Sequence, residues 1–119
     1  MVNLAVIVGR VAVDPELKKL PKGESIVTAK VAVERKRKTA DEKKKVDYIN
    51  VTFMDAQAEF FYKYFHKGDW VSVVGSIEVN TSTNNRGYTT YITEVVAEKV
   101  SFCGARTYDG FFNFSEVAI

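Results

Sequence analysis

The sequence predicts an all-β chain carrying one helix, closed into a five-stranded Greek-key barrel with the helix between the third and fourth strands. Three observations predict it. Most apolar residues recur with the period of two that a half-buried strand requires, and a single segment, 55–68, switches to the helical period. Gly, Pro, Asn and Asp cluster between these segments. At 119 residues and 46% hydrophobic, the chain fits one domain with enough apolar side chains for its own core.

The elements follow in order. "VNLAVIVGRVAV", residues 2–13, is apolar on both faces, which means a strand covered on both sides or one that pairs with another subunit. "DPE" at 14–16 breaks it, and "LPKGES" at 20–25 is a turn in which Gly23 takes positive φ. "SIVTAKVAVER", 25–35, is β-branched and alternating, a second strand. Residues 36–45 have no apolar periodicity and read as a long hairpin loop. In the third strand, "VDYINVTFM", Ile49, Val51 and Phe53 share the core face, while Tyr48, Asn50, Thr52 and Met54 share the other. "DAQAEFFYKYFHKG" places Ala58, Phe61 and Phe65 on one side of a helix, with Asp55 as N-cap and Gly68 at C′. His66 reads as a helix-end residue. "DWVSVVGSIEV", 69–79, is the fourth strand with a bulge at Gly75; "NTSTNNRGY" is a hairpin tip; "TTYITEVVAEKVSF", 89–102, is the fifth strand. One helix between the third and fourth of five strands is the element order of the OB-fold, whose open face takes oligonucleotides or oligosaccharides. The barrel is expected over 1–103, with 104–119 a short C-terminal extension.

Net charge is only +2, but it is unevenly placed. Residues 34–45 carry +4 and the other 107 carry −2, so the positive charge concentrates beside the third strand. Such a cluster is the electrostatic footprint of a polyanion binder, or else a solvated lysine-rich loop. No run of 18 or so apolar residues is present, and the N-terminus lacks the basic region of a secretory leader. A lone Cys103 excludes an internal disulfide, and the expected location is the cytoplasm. Enzyme chemistry finds no support: there is no P-loop, no metal-ligand spacing, no nucleophile with a base, and no cofactor motif. Asp47 and Asp55 fall on one strand face about 26 Å apart, too far for paired carboxylates.

"VGRVAVDPEL" at 8–17, "DYIN" at 47–50, "QAE" at 57–59, "KG" at 67–68, Gly75 and "YITEVVAEKVSF" at 91–102 together resemble the bacterial single-stranded DNA-binding protein family. The resemblance covers residues 1–103. It implies an OB-fold that assembles as a homotetramer and wraps single-stranded DNA, with replication or recombination proteins as further partners. Aromatic rings would stack on bases while cations follow the phosphates. The family places rings at positions 37, 48, 54 and 82; this chain has Arg37, Tyr48, Met54 and Ser82, so one ring survives. A basic pair often follows the third strand in the family, and here Asp55 and Ala56 stand there. The family's acidic tail with a Pro-Phe tip is not among these residues.

The expected binding residues are therefore Arg10, Arg35, Lys36, Arg37, Lys38, Tyr48, Met54, Arg86 and Tyr88, with Tyr91 a partial substitute for a lost ring. Arg37 can stack or hold a phosphate, and Met54 offers a polarizable surface. Three roles stay open for Phe111, Phe112 and Phe114: packing on the barrel, pairing with a neighbouring subunit, or docking another protein. The alternative to DNA coating is an OB-fold interaction protein that pairs mainly with a replication factor or a homologous binding protein.

Overall fold

The computed structural model describes residues 1–38, 40 and 44–103, with the backbone alone at Lys38. Its elements run β1 (Ala5–Val11), β2 (Leu17–Lys19), β3 (Ser25–Lys38), β4 (Lys44–Met54), α1 (Asp55–Tyr64), β5 (Trp70–Thr83) and β6 (Thr89–Phe102). The strands order β1-β5-β6-β4-β3-β2, and β1 also pairs with β3. That last pairing, Arg10↔Ala32 and Val11↔Val31, closes five strands into a ring. β2 is a sixth, short strand outside the ring, laid antiparallel on β3 from Leu17↔Val27 to Lys19↔Ser25.

Alternation along each strand decides what the ring encloses. Val27, Ala29 and Val31 of β3, Val51 and Phe53 of β4, and Val71 and Val73 of β5 point inward and are fully or almost fully buried. Ring closure demands close backbone approach at two glycines. A Cβ at Gly9 would lie 2.3 Å from the Ala32 carbonyl oxygen, and one at Gly75 would lie 2.1 Å from that of Val96. Gly75 also sits at the register shift in the β5–β6 ladder, the expected bulge.

Helix α1 closes the core with aromatic rings. Phe61 stacks on Phe53 at 4.1 Å between centroids and on Phe65 at 4.9 Å. Ala58 and Phe61 are its buried residues. Both expected caps differ. Asp55 is the first helical residue rather than the N-cap, with φ +55, a left-handed conformation that Asp tolerates; Met54 precedes it with no side-chain cap. The helix ends at Tyr64, not at Gly68. Phe65 is already extended, yet its ring is fully buried, so the apolar pattern outlasts the helical backbone. Gly68 instead shapes a turn, at φ +94, and its N–H donates to the Val11 carbonyl at 2.8 Å. Val11 in turn donates to the Asp69 carbonyl at 2.9 Å, which fastens the end of β1.

Two expected loops are shorter than their polar sequences suggest. β3 continues to Lys38 and β4 begins at Lys44, so half of 36–45 is hairpin arm. β5 runs to Thr83, leaving 84–88 as the tip in place of 80–88. Among the described residues no helix is long and apolar enough to cross a membrane. Residues 104–119, with Phe111, Phe112 and Phe114, lie outside the described residues.

The Phe53–Phe61–Phe65 stack yields a stability prediction. Phe61→Ala removes the central ring and leaves a cavity, at an expected cost of about 3–5 kcal/mol. Denaturant unfolding at fixed protein concentration measures it, and a loss below about 1 kcal/mol would mean that the stack collapses without strain.

Candidate nucleic-acid interface

β4 and β6 run parallel, paired at Val51↔Val95 and Thr52↔Val96. From there both strands lead back into long antiparallel hairpins, β3–β4 and β5–β6. The parallel pairing sends the two hairpins out from the same end of the barrel, like the prongs of a fork. Thr52 is almost fully buried at the base, where its hydroxyl donates to Glu94 Oε2 at 2.7 Å. Asn80 Nδ2 donates to Glu94 Oε1, also at 2.7 Å. One carboxylate thus ties β4 to both strands of the other hairpin.

The outer face of β4 follows the expected alternation. Tyr48 is 61% exposed and Met54 41%, six residues apart, about 20 Å along the strand. Tyr48 lies opposite Ala32, a side chain too small to cover a ring. Asn50 lies opposite Lys30, which is exposed and shares this face.

The basic arm is irregular. The β3–β4 register passes from Glu34↔Val46 to Lys38↔Lys44, so residues 35–37 stand opposite the single Lys45. A bulge of this kind re-aims side chains that alternation would otherwise place. Arg35 is turned onto Asp47 in a two-pronged pair, Nε to Oδ2 at 2.9 Å and Nη2 to Oδ1 at 3.0 Å. Hydrogen bonds from Arg35 hold the Asp47 carboxyl below the ordinary aspartate range, and the same carboxylate raises the guanidinium. Arg35, expected among the phosphate contacts, thus directs two of its N–H donors to Asp47 while its side chain stays 40% exposed. Lys36 and Arg37 are exposed. The side chain of Lys38 lies outside the description.

Arg10 and the hairpin tip complete the expected set. The Arg10 guanidinium sits 4.9 Å from the centroid of the Trp70 ring. It lines an open groove of about 520 Å³ with Val8, Gly9, Ala32, Val33, Glu34, Val46 and Trp70. Glu34 at this rim is paired with Lys44 at 3.4 Å. At the other prong, Asn84 Oδ1 accepts from the N–H groups of Arg86 and Tyr88 at 2.9 and 3.0 Å, which orders the tip. Tyr88 is 69% exposed. Tyr91 pairs with Thr81 on the face shared with Val95, opposite to Glu94, so alternation turns it away from the Tyr48 side.

Two residues of this surface were not singled out by sequence reasoning. Lys30 was signalled by the alternation of the second strand. Trp70, the only tryptophan, opens β5 beside a turn and carried no periodic signal. Among the described residues no three His, Cys, Asp or Glu side chains converge as a metal site. Cys103 is buried, which pushes its thiol up.

Comparison with known proteins matches residues 2–103 to a family model described as "Single-strand binding protein family". "Single-stranded DNA-binding protein 2" of Staphylococcus aureus (strain COL) is 37% identical over 102 residues, covering 86% of this chain and 73% of its own. "Single-stranded DNA-binding protein 1" of Lactococcus lactis subsp. lactis (strain IL1403) is 37% identical over 98 residues, 82% of this chain and 65% of that relative. "Single-stranded DNA-binding protein" of Streptococcus pneumoniae (strain ATCC BAA-255 / R6) is 35% identical over 107 residues, 90% of this chain and 69% of its own. The chain thus spans between about two thirds and three quarters of the length of these relatives.

The Arg35–Asp47 pair makes a prediction in solution. Because Arg35 stabilises the ionised carboxylate, the pair contributes at neutral pH and its contribution is lost as pH falls and Asp47 protonates. An NMR titration should place the Asp47 midpoint below that of ordinary aspartates, and Arg35→Gln should return it upward. A midpoint unmoved by Arg35→Gln would show that the pair does not form.

Proposed function

The chain belongs to the single-strand binding protein family, and from that membership and the forked outer face we infer that it binds single-stranded DNA without strong sequence preference. Coating and protecting the strand during replication, recombination, repair or transfer is the role this supports. The observation that carries the reading is the exposed Tyr48 ring, bare beside Ala32, on a face bordered by a basic arm. A ring stacks on any base, and cations hold phosphates whatever the sequence. Residues 1–103 form the binding domain in this reading and 104–119 an extension. It is non-enzymatic and acts in the cytoplasm.

The proposed contacts divide by chemistry. Tyr48 and Met54 offer surfaces to bases. Arg10, Lys36, Arg37 and Lys38 reach phosphates, and Arg86 and Tyr88 meet the strand where it passes the second prong. Arg35 joins them through the N–H donors that Asp47 leaves unused, its charge partly offset by that carboxylate. The alternative, a protein that mainly pairs with replication factors, draws on Phe111, Phe112 and Phe114 and gains no observation from the described residues.

A homotetramer is also proposed. Val2, Leu4 and Val6 are 93%, 63% and 57% exposed. β1 meets β3 only at Arg10 and Val11, so the same edge is unpaired over residues 5–9. An open apolar edge of this kind is satisfied by a second copy of the strand, antiparallel across a two-fold axis. Sedimentation at micromolar concentration should show an oligomer, and a monomer would contradict the proposal.

Titration with oligo(dT) at two salt concentrations tests the function. With three or four phosphates met by the free cations, the slope of log K against log salt should be roughly −2 to −3 per subunit footprint. Tyr48→Ala should cost about 1–3 kcal/mol of binding with the fold intact by circular dichroism. Duplex DNA that competes as well as oligo(dT) would overturn the single-strand reading.

A further inference from the structure

We propose that Trp70, braced by Arg10, is a second base-stacking surface that carries the single strand from the Tyr48 floor across β1 onto the edge of β5. This rests on the single-strand-binding reading of the Tyr48 face, and it adds a residue that stands at none of the ring positions expected from the family.

The registers supply the path. Trp70 lies opposite Arg10, Arg10 opposite Ala32, and Ala32 opposite Tyr48. All four belong to the outward set of their strands, since Ile7, Val11, Val31, Val51, Val71 and Val73 hold the inward set. Three strand spacings separate the two rings, about 14 Å along the sheet, a span of a few nucleotides. Between them the surface is low. The groove of about 520 Å³ is lined by Val8, Gly9 and Ala32 among others, and on the row itself only Arg10 and Ala32 stand between the two rings. The acidic member of its rim, Glu34, has Lys44 beside it at 3.4 Å.

The chemistry at the end of this path suits a nucleotide. Trp70 is 36% exposed, so part of the indole faces solvent. Arg10 holds its guanidinium 4.9 Å from the ring centroid, a cation–π contact that fixes the indole's orientation before any ligand arrives. A base stacked on the exposed part of the ring leaves its phosphate near that same guanidinium. One residue pair thereby meets both parts of a nucleotide, with less ordering to be done on binding than two mobile side chains would require. The indole also offers a larger stacking area than Tyr48, and on this surface it offsets the rings lost at 37, 54 and 82.

The test uses the full chain, and Trp70 is its only tryptophan, so intrinsic tryptophan emission reports this site alone. Oligo(dT) should quench that emission in step with binding followed by anisotropy of a labelled strand. Trp70→Ala should weaken binding about 5- to 150-fold, while Trp70→Phe keeps most of the affinity. Arg10→Ala should flatten the salt slope by about 0.7, which Trp70→Phe leaves unchanged. Labelled oligo(dT) that binds tightly and responds to Tyr48→Ala, with emission unmoved and Trp70→Phe and Trp70→Ala within twofold of the parent, overturns this proposal and leaves the single-strand reading intact. Emission unmoved in the parent chain is also what a second copy seated over Trp70 would give, and it counts against the proposal equally. Failure of the parent chain to bind oligo(dT) at all removes both readings.

Discussion

The pairing of Arg10 with Ala32 and of Val11 with Val31 closes the barrel, and the rest of the molecule depends on that closure. It brings β1 within reach of β3 across a backbone gap that only a glycine at position 9 fits. Inside, it seals a core of valines and stacked phenylalanines from water. Outside, it makes one continuous row from β5 through β1 and β3 to β4. Without it Arg10 and Trp70 would be joined to Tyr48 only the long way round the sheet, through β6.

How much of this was legible in the sequence depended on burial. The third strand's alternation separated Tyr48 and Met54 from Ile49, Val51 and Phe53 because one face of that strand packs on the core. Gly75 was legible as a bulge because a glycine inside a valine-rich strand has few other reasons to be there. The hairpin arms were not. Beyond the core they gain backbone pairing without burial, so Lys36–Lys38 and Asn80–Thr83 leave no apolar period to detect. β2 was missed because its three residues, Leu17–Lys19, are too few to show a period. The helix end was overshot because Phe65 continues the apolar pattern after the backbone has become extended.

The site was legible by residue type more than by role. Charge counting identified the arm at 34–45, yet it cannot foresee that residues 35–37 bulge against Lys45 and turn Arg35 onto Asp47. That pair and Glu34–Lys44 neutralise part of the cluster internally, and Glu94 is occupied in joining the prongs. The charge left to meet a polyanion is smaller than the sequence total and sits on fewer residues. Trp70 was illegible for a different reason. Its meaning comes from its neighbours across two ladders, and neither is near it in sequence.

The central claim is that single-stranded DNA lies on the outer face formed by β1, β3 and β4 at the base of the fork. Hydrogen–deuterium exchange of the full chain with and without saturating oligo(dT) tests it most directly, because it reads the whole backbone without altering a residue. Protection should rise over residues 8–12, 30–38 and 44–54 and at the start of β5, while the solvent-facing side of α1 stays unchanged. Protection confined to α1 and the end of β6, with the β3–β4 arm unaffected, would contradict the account.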